Sequence, residues 1–257
     1  MSVPDIRITP LESGGSGIPF LLGPSLGTRV ARVWEPTRPL LGTDHPLFGW
    51  DLPGHGISPA TTTGFSVDEI AQGVLRAADD AGLSRFAVAG VSLGGVVSLA
   101  LALRAPSRVA SVTLICSLPR IGTAEGWAAR ATQVRASGTP SLVQGSAERW
   151  FAPGFIDAQP TVASPLLLDL RDIDDESYAL CVEALAATDL GPQVASLEMP
   201  FTIIAGALDG VIPLDDAEAA VSSARAGSLH VLPDTAHLAT VEKPAEVAAI
   251  LHSEVSA

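Results

Sequence analysis

The chain reads as an α/β domain on a mostly parallel central sheet flanked by helices, with a helical cap inserted in its second half. Three observations carry that reading: short apolar runs recur along the 257 residues, helical patterns separate them, and one long stretch, 119–190, keeps the helical pattern but loses the runs. Apolar runs bounded by Gly, Pro or charge are expected of strands covered on both faces. Their alternation with helices is the mark of a parallel sheet.

The expected strands, in order, are Ile18 to Leu22, Leu47 to Trp50, Phe86 to Val91, Val109 to Ile115, Phe201 to Ala205 and Leu229 to Leu232. A helix over Ser66 to Ala81 opens on Ser66-Val67-Asp68-Glu69, a capping box. Its apolar positions Val67, Ile70, Val74, Leu75 and Ala78 follow helical spacing, and Gly82 stops it. Further helices are expected over Leu93 to Ala105 (ended by Pro106), Asp215 to Ala226 and Ala245 to Ser253. The segment between Thr28 and Asp51 is compressed and Pro-rich, which predicts a short first helix. The insertion 119–190 carries Trp127, Trp150, Phe151, Phe155 and Tyr178 and splits a core formed by 1–118 and 191–257.

Composition narrows the function classes. Hydrophobic residues make up 47% and charged residues 17%, and mean hydropathy is +0.36, which excludes intrinsic disorder. Net charge is −13, from 28 acidic and 15 basic residues. A nucleic-acid binder needs a basic surplus to release counterions, so nucleic acid is not an expected partner. Cys116 and Cys181 have no metal-ligand spacing and read as buried free thiols, so neither metal nor cofactor is called for. Met1 to Asp5 lacks the basic and apolar regions of a signal peptide, and no apolar run is long enough to span a bilayer. A soluble, cytoplasmic protein is the expectation, with oligomeric state left open.

One motif carries chemistry. Gly90-Val91-Ser92-Leu93-Gly94 fits G-x-S-x-G, with an apolar strand running into it and an Ala/Leu-rich helix leaving it. That context is the nucleophile elbow, a tight turn that exposes a serine hydroxyl at a helix N-terminus. A serine needs a base. His237 lies in a loop after a strand and comes last in the order Ser, Asp, His; His55, in the turn Leu52 to Gly56, is the rival, but a turn-stabilising role suits it better. Asp209, at the carboxyl end of the strand from Phe201, is the expected acid, with Asp234 as competitor. Oxyanion donors are expected from the amides of Leu93 and Leu26, with Ser25 as the alternative to Leu26 because Pro24 has no N–H.

Beyond the elbow, several segments are distinctive: Gly23-Pro24-Ser25-Leu26-Gly27-Thr28, Asp51-Leu52-Pro53-Gly54-His55-Gly56, Arg120-Ile121-Gly122-Thr123 followed by Trp127, Arg130 and Val134, then Glu148-Arg149-Trp150-Phe151 and Tyr178 to Leu185. With these the chain resembles the α/β-hydrolase fold over nearly its whole length, and within it the 3-oxoadipate enol-lactone hydrolases. The resemblance implies opening of a five-membered enol-lactone bearing an acetate side chain, with Ser92, Asp209 and His237 as the triad. A free carboxylate on such an anionic lactone needs a cation or several N–H donors. Arg120, Arg130, Arg135 and Arg149 all lie in the insertion; Arg130 or Arg149 is expected to face the pocket, with the others on solvated helix faces. Trp127 and Trp150 either line its wall or fasten insertion to sheet. Rivals on the same scaffold are a broad carboxylesterase, a C–C hydrolase, a cofactor-free perhydrolase and a non-catalytic small-molecule receptor.

Overall fold

In the computed structural model, which describes residues 2–256, the N-terminal part alternates short strands and helices. It contains β1 (Ile8–Glu12), β2 (Phe20–Gly23), α1 (Val30–Val33), α2 (Arg38–Leu41), β3 (Leu47–Trp50), α3 (Val67–Asp80), β4 (Phe86–Val91), α4 (Leu93–Arg104) and β5 (Val109–Ile115). Only helices follow before the next strand: α5 (Ala124–Ser137), α6 (Val143–Trp150), α7 (Phe155–Ala158), α8 (Pro160–Arg171) and α9 (Asp175–Ala186), with 3₁₀ turns at Thr139–Leu142 and Gly191–Ser196. The chain returns to the sheet through β6 (Phe201–Gly206), α10 (Leu214–Ser223), β7 (Gly227–Leu232), α11 (Ala239–Glu242) and α12 (Pro244–Ser256).

The strands make one seven-stranded sheet in the order β1-β3-β2-β4-β5-β6-β7, with β1 antiparallel to β3 and every other pairing parallel. The central strands β2, β4 and β6 are buried at every position, which is why each reads as a near-continuous apolar run, interrupted in β6 by Thr202. Strand β1 was not among the expected ones. It is an edge strand, half-exposed along its length and carrying Pro10, so it shows neither the continuous run nor the clean alternation of an interior strand.

Local chemistry accounts for the helix ends that matter here. In α3 the Ser66 side chain accepts the Glu69 N–H and the Glu69 side chain accepts the Ser66 N–H, closing the capping box. Its inner face, including Val67, Ile70, Val74 and Ala78, is buried, and Gly82 ends it with φ of +73°. Burying a side chain such as Ile70 contributes about 1.5–3 kcal/mol. The first helical region is indeed short: α1 and α2 span four residues each, and Pro39 sits at the start of α2. Both cysteines are free and buried. Met1, where the leader reading begins, lies outside the described residues. Among those residues no helix is long and apolar enough to cross a membrane.

Candidate active site

The site sits where β4, β6 and β7 reach their carboxyl ends, against the helices that follow β5. The turn from β4 into α4 holds Ser92 at φ 53° and ψ −120°, a conformation L residues avoid and one that costs on the order of 1–3 kcal/mol. Its surroundings over-determine it: the Ser92 N–H donates to the Ile115 carbonyl (2.9 Å), and the Ser117 hydroxyl donates to the Ser92 carbonyl (2.7 Å). A Cβ on Gly90 would collide with the Gly94 carbonyl, and one on Gly94 with the Pro24 carbonyl, so neighbouring backbone enforces both glycines.

Asp209 follows β6 and His237 follows β7. His237 Nδ1 lies 2.8 Å from Asp209 Oδ2, and the Val211 N–H donates to Asp209 Oδ1 at 2.8 Å. A carboxylate only accepts, so Nδ1 must carry a proton, and in the neutral ring Nε2 keeps its lone pair. Ser92 is 7% exposed, His237 4% and Asp209 9%. Asp234, the rival acid, stands at φ 51° on the turn leading to His237, and the Asp209 pairing leaves it with a turn role.

A cavity of about 50 Å³ joins these groups, lined by Ser25, Leu26, Ser92, Trp127, Arg130, Arg149, Trp150, Tyr178, Val211 and His237. Ser92 and His237 face this shared chamber without a direct hydrogen bond between them. A second chamber of about 490 Å³ adjoins it, sharing Trp127, Arg130, Arg149 and Val211. A ligand seated against Ser92 therefore reaches this outer space past those shared side chains.

The loop facing Ser92 is tied down from several sides. The Gly94 N–H donates to the Pro24 carbonyl at 3.0 Å, the Thr28 hydroxyl donates to the Ser25 carbonyl at 2.9 Å, and the Gly27 N–H donates to His55 Nε2 at 3.2 Å. Since Nε2 accepts, Nδ1 is the protonated nitrogen of His55, and it donates to the Pro53 carbonyl at 2.8 Å. Burial pulls the His55 pKa down to about 4, so the ring is neutral at pH 7. The turn role expected of His55 is what the structure shows, with support of the Ser25–Thr28 loop added to it. Among the described residues the Leu26 and Leu93 N–H groups have no acceptor in a loop or side chain, which leaves both amides available for a ligand.

The arginines of the insertion divide cleanly. Arg120 reaches Asp189 at 3.5 Å, and Arg135 pairs with Glu176 at 2.8 Å and with Glu183, all on exposed surface. Arg130 and Arg149 instead line both chambers, and neither is ion-paired among the described residues. The Arg130 Nε–H donates to the Tyr178 hydroxyl at 2.8 Å. Burial, and then the charge of Arg130, push the Arg149 pKa down, the signature of a cation lacking an anion. Tyr178, fully buried and stacked on His55 with ring centres 6.2 Å apart, aims Arg130. The sequence showed Tyr178 only as one more aromatic of the insertion, and Val211 gave no signal at all. Trp127 and Trp150 both line the inner cavity; the Trp127 Nε1–H donates to the Ile121 carbonyl within the insertion, and the Trp150 backbone carbonyl accepts the Leu238 N–H. Among the described residues no group of His, Cys, Asp and Glu could hold a metal ion.

The alpha/beta hydrolase fold family matches residues 18–144. Over the wider chain, 3-oxoadipate enol-lactonase 2 of Acinetobacter baylyi is 31% identical across 245 residues, 95% of this chain and 91% of that one. The chain belongs to the α/β-hydrolase family. Among solved structures, this α/β-hydrolase is similar to the enol-lactonase from Burkholderia xenovorans, with a TM-score of 0.93 at 25% identity over 98% of this chain and 96% of that one. A pimeloyl-[acyl-carrier protein] methyl ester esterase of Vibrio parahaemolyticus is 30% identical over 79% of the chain and 80% of its own length. The family and these relatives support a hydrolase acting on a small molecule.

Proposed function

We propose that this α/β-hydrolase is a serine hydrolase that opens an anionic enol-lactone, 3-oxoadipate enol-lactone, through an acyl-enzyme on Ser92. The observation that carries the reading is one chamber holding a strained serine, a carboxylate-bound histidine and two arginines without an anion. The enol-lactonase relatives supply the substrate class.

In this mechanism the unprotonated His237 Nε2 takes the Ser92 proton as Oγ attacks the lactone carbonyl. The amides of Leu26 and Leu93 bind the tetrahedral oxyanion, where losing one donor typically costs on the order of 10²–10³ in rate. Collapse breaks the ring C–O bond; the enol oxygen leaves with the proton from His237 and the enol tautomerises to a ketone. Water deprotonated by His237 then attacks the acyl-enzyme and frees Ser92 with the new carboxylic acid. Asp209 holds the imidazole tautomer and stabilises the imidazolium. Arg130 and Arg149 take the substrate's free carboxylate, with Ser25, Trp127 and Trp150 closing the wall. Residues 119–190 act as the cap over a core of 1–118 and 191–257. On this reading the enzyme serves aromatic catabolism in the cytoplasm.

The assay is direct. Enol-lactone generated enzymatically in situ should lose its ultraviolet absorbance with the wild-type protein and not with Ser92→Ala. No loss from a protein that still cleaves p-nitrophenyl acetate would retire the lactonase and leave a carboxylesterase. That second reading is favoured by the outer chamber, which offers room for longer esters.

A further inference from the structure

His237 is held by more than Asp209. Its two neighbours in the chain are gripped by groups from three separate parts of the fold. The Ala236 N–H donates to Glu242 Oε2 at 2.7 Å, and the Ala236 carbonyl accepts the Cys116 thiol at 3.4 Å. On the other side, the Leu238 N–H donates to the Trp150 carbonyl at 3.1 Å. Glu242 does not spend its second oxygen locally: Oε1 accepts the Ala152 N–H of the insertion at 2.6 Å. One half-buried carboxylate therefore joins the peptide just before the histidine to the segment just after Trp150, which lines the chamber.

We propose that Glu242 is a positioning residue for His237, locking the imidazole's loop to the Trp150–Ala152 segment so that ring and cap wall hold one geometry. The inference rests on the triad reading above. Its physical basis is that a carboxylate accepting two N–H groups fixes both peptide planes, and that a 1 Å misplacement of a reacting group can cost about 10² in rate. A charged acceptor is also the stronger one, although burial pushes the Glu242 pKa up. The titratable and charged groups acting with it are Asp209, whose charge also raises that pKa, Lys243, which lowers it, and Cys116, whose thiol its charge helps to push up.

Glu242→Gln is the test, because it keeps the shape but can accept only one of the two N–H groups and turns an NH₂ toward the other. The expected result with p-nitrophenyl acetate is a fall in kcat on the order of tenfold with KM within about twofold, a fraction of the misplacement penalty above. The downfield Nδ1–H proton resonance of His237 should shift or broaden in the same variant, a change that lost stability alone does not produce. Unchanged kcat and an unchanged His237 resonance, even with a lowered melting temperature, would show a merely structural role and overturn the proposal. Should the variant not fold, the wild type still decides. A gripped Ala236 amide exchanges its proton far more slowly than an exposed loop amide, and exchange at the free-chain rate would overturn the proposal. Ser92→Ala and His237→Ala are measured alongside. If both turn over like wild type, the triad reading falls and this inference with it; if both are inactive while Glu242→Gln is fully active, only this inference falls.

Discussion

Arg149 and His55 are two side chains whose surroundings push their pKa values down. Arg149 lines the cavity beside Arg130 with much of its side chain exposed and no ion-pair partner among the described residues, so a carboxylate bound there would relieve partial desolvation and like-charge repulsion. A charge-assisted hydrogen bond is worth about 1.5–3 kcal/mol. Replacing Arg149 with Gln should therefore raise KM for the anionic lactone about 10- to 100-fold while leaving p-nitrophenyl acetate within about threefold; equal effects on the two substrates would remove the carboxylate from this position. His55 is read out by stability instead. Its pKa is about 4 when folded against 6.5 in the free chain, so between those values the unfolded state holds the extra proton. Its contribution is complete above pH 6.5 and is lost as pH falls toward 4, by about 3 kcal/mol in all. Denaturant melts from pH 7 to pH 4 should show a shallower decline in His55→Gln than in wild type, and parallel curves would contradict the assignment.

At the scale of elements, the decisive one is the turn between β4 and α4, where sequence and backbone constrain each other. Gly90 and Gly94 are required by colliding carbonyls rather than by their own dihedrals. Gly94→Ala should cost several kcal/mol through displaced backbone, lowering the melting temperature and esterase activity together; a stable, active Gly94→Ala would mean that the elbow can open. This turn was legible in the sequence because its glycines, its strand and its helix all lie within a few consecutive residues. Strand β1 was not, because an exposed edge strand with Pro10 carries almost no hydrophobic signal. The same logic separates the site residues. Ser92, Asp209 and His237 occupy positions dictated by local context, at strand ends and turns. The aiming of Arg130 by Tyr178 and the staple through Glu242 join residues 48 or more apart or act through backbone N–H groups, and no local pattern announces either.

For the whole molecule, the sheet order brings the ends of β4, β5 and β6 together and sets the helices between β5 and β6 across them. A protein of net charge −13 thereby sets a pair of cations beside a serine and a histidine. On the proposed reading, this local reversal of the global field draws an anion to the cavity. Labelling with an alkyl fluorophosphonate, read by intact and peptide mass spectrometry in the presence and absence of the enol-lactone, tests both halves of this account together. The account predicts a single adduct on the peptide containing Ser92, absent from Ser92→Ala and slowed by the enol-lactone but not by a neutral lactone of the same ring size. An adduct on another residue, or labelling that the anionic lactone leaves untouched, would contradict it.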